Sequence, residues 1–240
     1  MRLFEILIAP GASPLQPLSL QILFPYLAAA LAALASVFHH RRLRARYGDT
    51  TGMRLYFGIF FGLLAAVPVG VVLAVEADPW RVLRELGLAP GNHRLGLPIL
   101  GIALPITALM SYFASGTPEI KRQYPFSKAA CSGDGRFARY ELAYLLLYFP
   151  AWEFLYRGLL FFPLVEAFGF LAAASLTAAL STLHHIGHPP SEILGAFAGG
   201  YVFAAIALLT GSVLYPAVVH AMLGVSDDLF VYLRYYRGRR

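Results

Sequence analysis

The chain has 240 residues, is 58% hydrophobic and only 13% charged, and carries a formal net charge of +6. A soluble domain holds about a quarter charged residues, so the composition excludes that class and predicts one integral membrane domain over 1–240. The basic residues stand in short clusters beside apolar runs, which speaks for a lipid bilayer as partner and against nucleic acid.

The predicted elements are helices, taken in chain order. The N-terminal lead has Arg2 and Glu5 and a short apolar run broken at Pro10-Gly11, and is expected to be retained at the interface. The first span covers about 19–38 and ends at a basic cluster from His39 to Arg46. A second runs over about 55–75 with Pro68 as a tolerated kink. A polar connection follows, in which 80–87 has amphipathic spacing and Gly87 marks the stop of a short interfacial helix. The third span covers about 97–113. The longest polar loop, 116–139, holds Lys121, Arg122, Lys128, Arg136, Arg139 and the single cysteine, Cys131, so no intrachain disulfide framework exists. The fourth span starts near Tyr140, and its Tyr140, Tyr144 and Tyr148 form a stripe best read as packing. The fifth covers about 165–185, with a break expected at Pro163. The sixth covers about 193–209 and the seventh about 212–233.

The fold class is therefore all-α, a polytopic transmembrane bundle of about seven spans. With the N-terminus outside, three of the four inner segments, 41–54, 114–139 and the tail after 233, hold most of the Arg and Lys. The bias predicts a cell-membrane protein with a cytoplasmic C-terminus.

The fourth span carries Pro150-Ala-Trp-Glu-Phe-Leu-Tyr-Arg157. Glu153 and Arg157 sit inside an apolar run, at i, i+4 with the acid N-terminal, so a helix stacks them on one face. Ionisable groups at that depth are costly and mark functional sites or interhelical ion pairs. Pro150 cannot bond to Leu146, which predicts a bend just below Glu153. The fifth span closes with His184, His185 and His188, of which His188 reads as an ordinary interfacial residue. Adjacent histidines point about 100° apart, so only one shares a given face. In the seventh span His220, Gly224 and Asp227 lie on one face, with Asp228 rotated about a quarter turn further.

A carboxylate and a neutral imidazole converging on a water act as general bases, while a second imidazole donates to a developing oxyanion. That is peptide hydrolysis without a serine or cysteine nucleophile. The same Glu/His set, Glu153, His185 and His220, also suits zinc, although no His-Glu-x-x-His stretch is present.

These residues resemble the CPBP family, the CAAX-prenyl-protease-like and bacteriocin-processing (Abi) intramembrane proteins. Its Glu-Glu-x-x-x-Arg motif is similar to Trp152-Glu153 through Arg157, its Phe-x-x-x-His motif to Ser181 through His185, and its His-x-x-x-Asn motif to His220 with Gly224. Three departures stand out: Trp152 replaces the first acid, Ser181 the Phe and Gly224 the Asn. The resemblance covers about 139–228 and implies a protease-like core of about 139–233. It implies an intramembrane endopeptidase acting on a membrane-anchored, including prenylated, peptide or protein. Glu153 and His185 would activate water, Arg157 would hold Glu153 and His220 would stabilise the oxyanion, with His184, Gly224, Asp227 and Asp228 as secondary candidates. Trp152 in place of an acid supports an alternative, a non-catalytic scaffold or self-immunity protein that keeps the pocket. A proton-coupled transporter is the third reading.

Overall fold

A computed structural model describes residues 17–238; the expected interfacial lead around Arg2 and Pro10 lies outside them. The elements are helical: α1 Leu18–Ala35, α2 His40–Tyr47, α3 Asp49–Val75, α4 Pro79–Glu85, α5 His93–Ala114, α6 Pro118–Gln123, a 3₁₀ turn Lys128–Ser132, α7 Asp134–Leu183, α8 Pro190–Thr210 and α9 Leu214–Tyr235. Among the described residues, six of these (α1, α3, α5, α7, α8 and α9) are long and apolar enough to cross a membrane. The short α4 forms where the amphipathic spacing predicts it. Asp78 caps it by accepting from the Arg81 N–H at 3.0 Å, and Gly87 beyond its end takes φ 79°.

The 50-residue α7 contains both the fourth and the fifth predicted spans. The chain reverses at Gly169 (φ 77°, ψ 170°), not at Pro163. A reversal needs a positive φ, which glycine adopts without a Cβ clash, whereas proline removes one hydrogen bond and leaves the helix running. Near Pro150 the helix widens into π turns at Tyr144–Tyr148 and Phe154–Leu160, so the backbone absorbs the missing donor by loosening its winding. Beyond Gly169 the second arm packs back on the first: Phe161 meets Ala173 and Ala174, and Trp152 and Tyr156 meet His184. Residues nearly thirty positions apart could not touch along a straight helix with its 1.5 Å rise. Seven spans are thus consistent with six long helices.

The described residues form two compact units. The first takes the described part of 1–24, with 68–99 and 152–216. Its centre is the α7 hairpin with α8 laid antiparallel on the second arm, so that Ala204 and Ala207 join Phe161, Ala173 and Ala174. Small residues set the spacing, since lipid gives apolar helices no water to escape from and close approach must hold them. Below the hairpin the Asn92 N–H donates to Thr210 O at 2.7 Å and the Val213 N–H to Gly87 O at 3.0 Å, fastening the α4–α5 loop to the α8–α9 turn.

The second unit takes 25–67, 100–151 and the described part of 217–240. Here the tyrosine stripe is packing, as predicted: Phe57 of α3 lies 5.7, 5.0 and 5.5 Å from the rings of Tyr140, Tyr144 and Tyr148. At one end of this unit the basic segments meet. Arg234 donates to Tyr112 O at 2.7 Å, Tyr232 stacks on Phe137 at 4.1 Å, and the Ser127 hydroxyl donates to Asp49 at 2.8 Å.

Candidate functional site

Glu153 ends an α-helical turn and Arg157 lies in the π segment that follows. The two are sealed from solvent, at 0% and 1% exposure, and their charged groups stand 3.3 Å apart. Arg157 also donates to Gly200 O of α8 at 3.2 Å, and its guanidinium lies 5.6 Å from the Phe203 ring centre. Its Nη1 has no hydrogen-bond partner among the described residues. A π turn inside an α-helix recurs at functional sites, because the extra residue re-aims the side chains around it.

The Gly169 reversal brings the second motif level with the first. Trp152 is buried, and its ring lies 5.4 Å from His184 and 5.5 Å from His185. The residue replacing the family's first acid is thus an aromatic wall against both histidines. His185 Nδ1 stands 3.0 Å from Ser181 O. A carbonyl only accepts, so Nδ1 is the donor in this contact. His184 Nδ1 meets the Tyr156 hydroxyl, and burial holds this imidazole below its ordinary value of 6.5, which favours the neutral ring. His188 pairs with Glu192 at 2.6 Å across the start of α8, a local contact that accounts for it.

The remaining predicted residues belong to the second unit. His220 packs edge-on to Phe149, ring centres 5.0 Å apart. Gly224 faces the same ring: a Cβ there would run into Phe149 and come within 3.2 Å of the Tyr144 hydroxyl. The absence of the family's Asn at this position thus has a packing reason. Asp227 is half-buried. Asp228 is fully buried beside Glu141 and Tyr140, and neither carboxylate of the pair nor the Tyr140 hydroxyl has a partner at ordinary hydrogen-bond geometry among the described residues. Sequence reasoning missed Glu141, because its partner is 87 positions away and nothing local announces it. Nearby Cys131 is buried, and burial together with Asp228 pushes its thiol up to about 12, far from the thiolate a nucleophile needs.

Residues 138–225 match the family model described as type II CAAX prenyl endopeptidase Rce1-like. This stretch is similar to that family. The match begins before the first motif, runs through the second and ends one residue past Gly224, so it contains Glu153, Arg157, His184, His185 and His220. The resemblance read from the motifs is met by this family match, and the six long apolar helices support a multi-pass membrane protein. No curated protein and no solved structure matches the chain.

The zinc set read from the sequence draws Glu153 and His185 from the first unit and His220 from the second. Within either unit, among the described residues, no three His, Cys, Asp or Glu side chains gather at metal-binding distance, and Glu153 is already bound to Arg157. No step is therefore derived through zinc.

Proposed function

We propose that the protein is an intramembrane endopeptidase of the CPBP type, with a protease-like core of 139–233 in a single membrane domain. It cleaves a peptide bond of a prenylated or otherwise membrane-anchored substrate. Glu153, assisted by His185, takes the proton of an attacking water as its oxygen bonds to the scissile carbonyl carbon. Glu153 then returns that proton to the departing amine nitrogen as the C–N bond breaks. Arg157 holds the Glu153 carboxylate in place; a role for His220 at the oxyanion rests on its likeness to the third family motif alone. The observation that carries this reading is the buried Glu153–Arg157 pair on the hairpin whose second arm brings His184 and His185 against Trp152. Purified protein in proteoliposomes is expected to cleave a prenylated CAAX-type peptide, with Glu153→Gln and His185→Ala each slowing it on the order of 10²–10⁴-fold. Equal rates for all three proteins would remove the proposal.

Trp152 favours a second reading, in which the pocket binds without hydrolysing, since its indole stands where the family has its first acid. That reading expects no turnover by the wild type and loss of peptide binding in Trp152→Ala. Turnover that depends on Glu153 rejects it.

A further inference from the structure

In the second unit a cleft of about 340 Å³ opens among Asp49, Thr50, Arg54, Arg136 and Arg139, a volume inside the ~300–1,000 Å³ range of small-molecule sites. Arg54 and Arg139 are exposed and make no ion pair among the described residues, and Arg136 is held only by a 2.7 Å bond to the Ser132 hydroxyl. The one carboxylate lining the cleft is spent elsewhere. Asp49 is paired with Arg44 and accepts from the Ser127 hydroxyl at 2.8 Å and the Ala129 N–H at 3.1 Å. The cleft thus gathers three guanidinium groups around one carboxylate that Arg44 already neutralises. Gly48, which caps α3, brings no side-chain acceptor, so the first-turn N–H groups add to the positive field.

Depth decides what anion such a cage meets. The candidate spans α3 and α7 begin at Asp49 and Asp134, so the arginines stand where apolar helix gives way to water, at the level of lipid headgroups. Just beyond them Leu55 and Leu142 are 40% and 54% exposed, offering an apolar path away from the charged end. A free phosphate has no use for that path, whereas a phospholipid fills it with its acyl chains.

We propose that this cleft is a binding site for the phosphate headgroup of an anionic phospholipid, gripped by Arg54, Arg136 and Arg139, with the acyl chains running along Leu55 and Leu142. Arginine suits the role because its planar fork pairs two-fold with phosphate oxygens. The site is independent of the hydrolytic reading, since none of its residues belongs to the candidate catalytic set.

The test titrates the purified full chain, in neutral detergent, with short-chain phosphatidylglycerol, short-chain phosphatidylcholine or inorganic phosphate. Bound lipid is counted by native mass spectrometry and protection is followed by the unfolding midpoint. Phosphatidylglycerol is expected to bind saturably and raise the midpoint, with affinity falling about tenfold or more in Arg54→Gln/Arg139→Gln. The control Arg41→Gln/Arg42→Gln removes equal charge from an exposed stretch outside the cleft and should bind as the wild type does. Equal binding of phosphatidylcholine, equal protection by inorganic phosphate, or equal losses in both double variants would each overturn the proposal.

Discussion

Arg157 and Glu153 are both shut off from solvent, so each would be strongly destabilising without the other. A buried pair of this kind adds little net stability, because desolvation offsets most of the attraction; its signature is the asymmetry between breaking it and removing it. Arg157→Met is expected to cost about 3–5 kcal/mol, since it strands a buried carboxylate. The double variant Glu153→Gln/Arg157→Met should lose clearly less than the sum of the two single changes. Unfolding of the four proteins in one detergent checks this, and strict additivity would show the two groups to be uncoupled. The i, i+4 spacing made this contact readable from sequence because it is local to one helix. Glu141 with Asp228 was not readable, because a buried pair joined only through the fold leaves no periodic trace. Trp152 was visible as a departure, but its contact with both histidines depends on a reversal that composition does not reveal.

At the scale of elements, α8 lies against the second arm of α7 because Gly200 has no side chain. A Cβ at Gly200 would come within 2.6 Å of the Ala178 Cβ and 2.9 Å of its Cα, and only the backbone could yield. Gly200→Ala is therefore expected to destabilise by about 1–3 kcal/mol, read as a lower unfolding midpoint. An unchanged midpoint would mean that the helices can part without loss. The same substitution should also disturb Arg157, which donates to the Gly200 carbonyl. Hydropathy located five of the six long helices and the short α4 within about six residues of their observed bounds and read α7 as two spans, because apolar length and capping are local properties. It placed the break between the fourth and fifth spans at Pro163, since proline is the stronger breaker by propensity. The observed reversal follows the residue that can take φ 77°, and several other glycines in apolar runs compete for that role on sequence grounds.

For the whole molecule, the orientation in the bilayer rests on where the charges gather. In the second unit the start of α3 and the end of α9 both meet the 116–139 loop, through Asp49–Ser127 and Phe137–Tyr232. These contacts put the basic segments at one end of this unit without counting spans, and the positive-inside bias predicts that end to be cytoplasmic. A reporter fused after residue 238 and one inserted in the 116–139 loop should accordingly give the same side. Opposite sides would break this assignment and the seven-span count with it. The count alone could not decide the matter, because α7 reads as one crossing by continuity and two by its reversal.

That reversal has a further bearing on how the protein is made. Glu153, Arg157, Trp152 and His185 are neighbours through a turn of only some thirty residues, so their mutual arrangement is a short-range product of the chain. A nascent polypeptide that has emerged as far as His185 already contains the Glu153–Arg157 pair and the Trp152–His185 contact, and α8, made afterwards, adds the Gly200 carbonyl to Arg157.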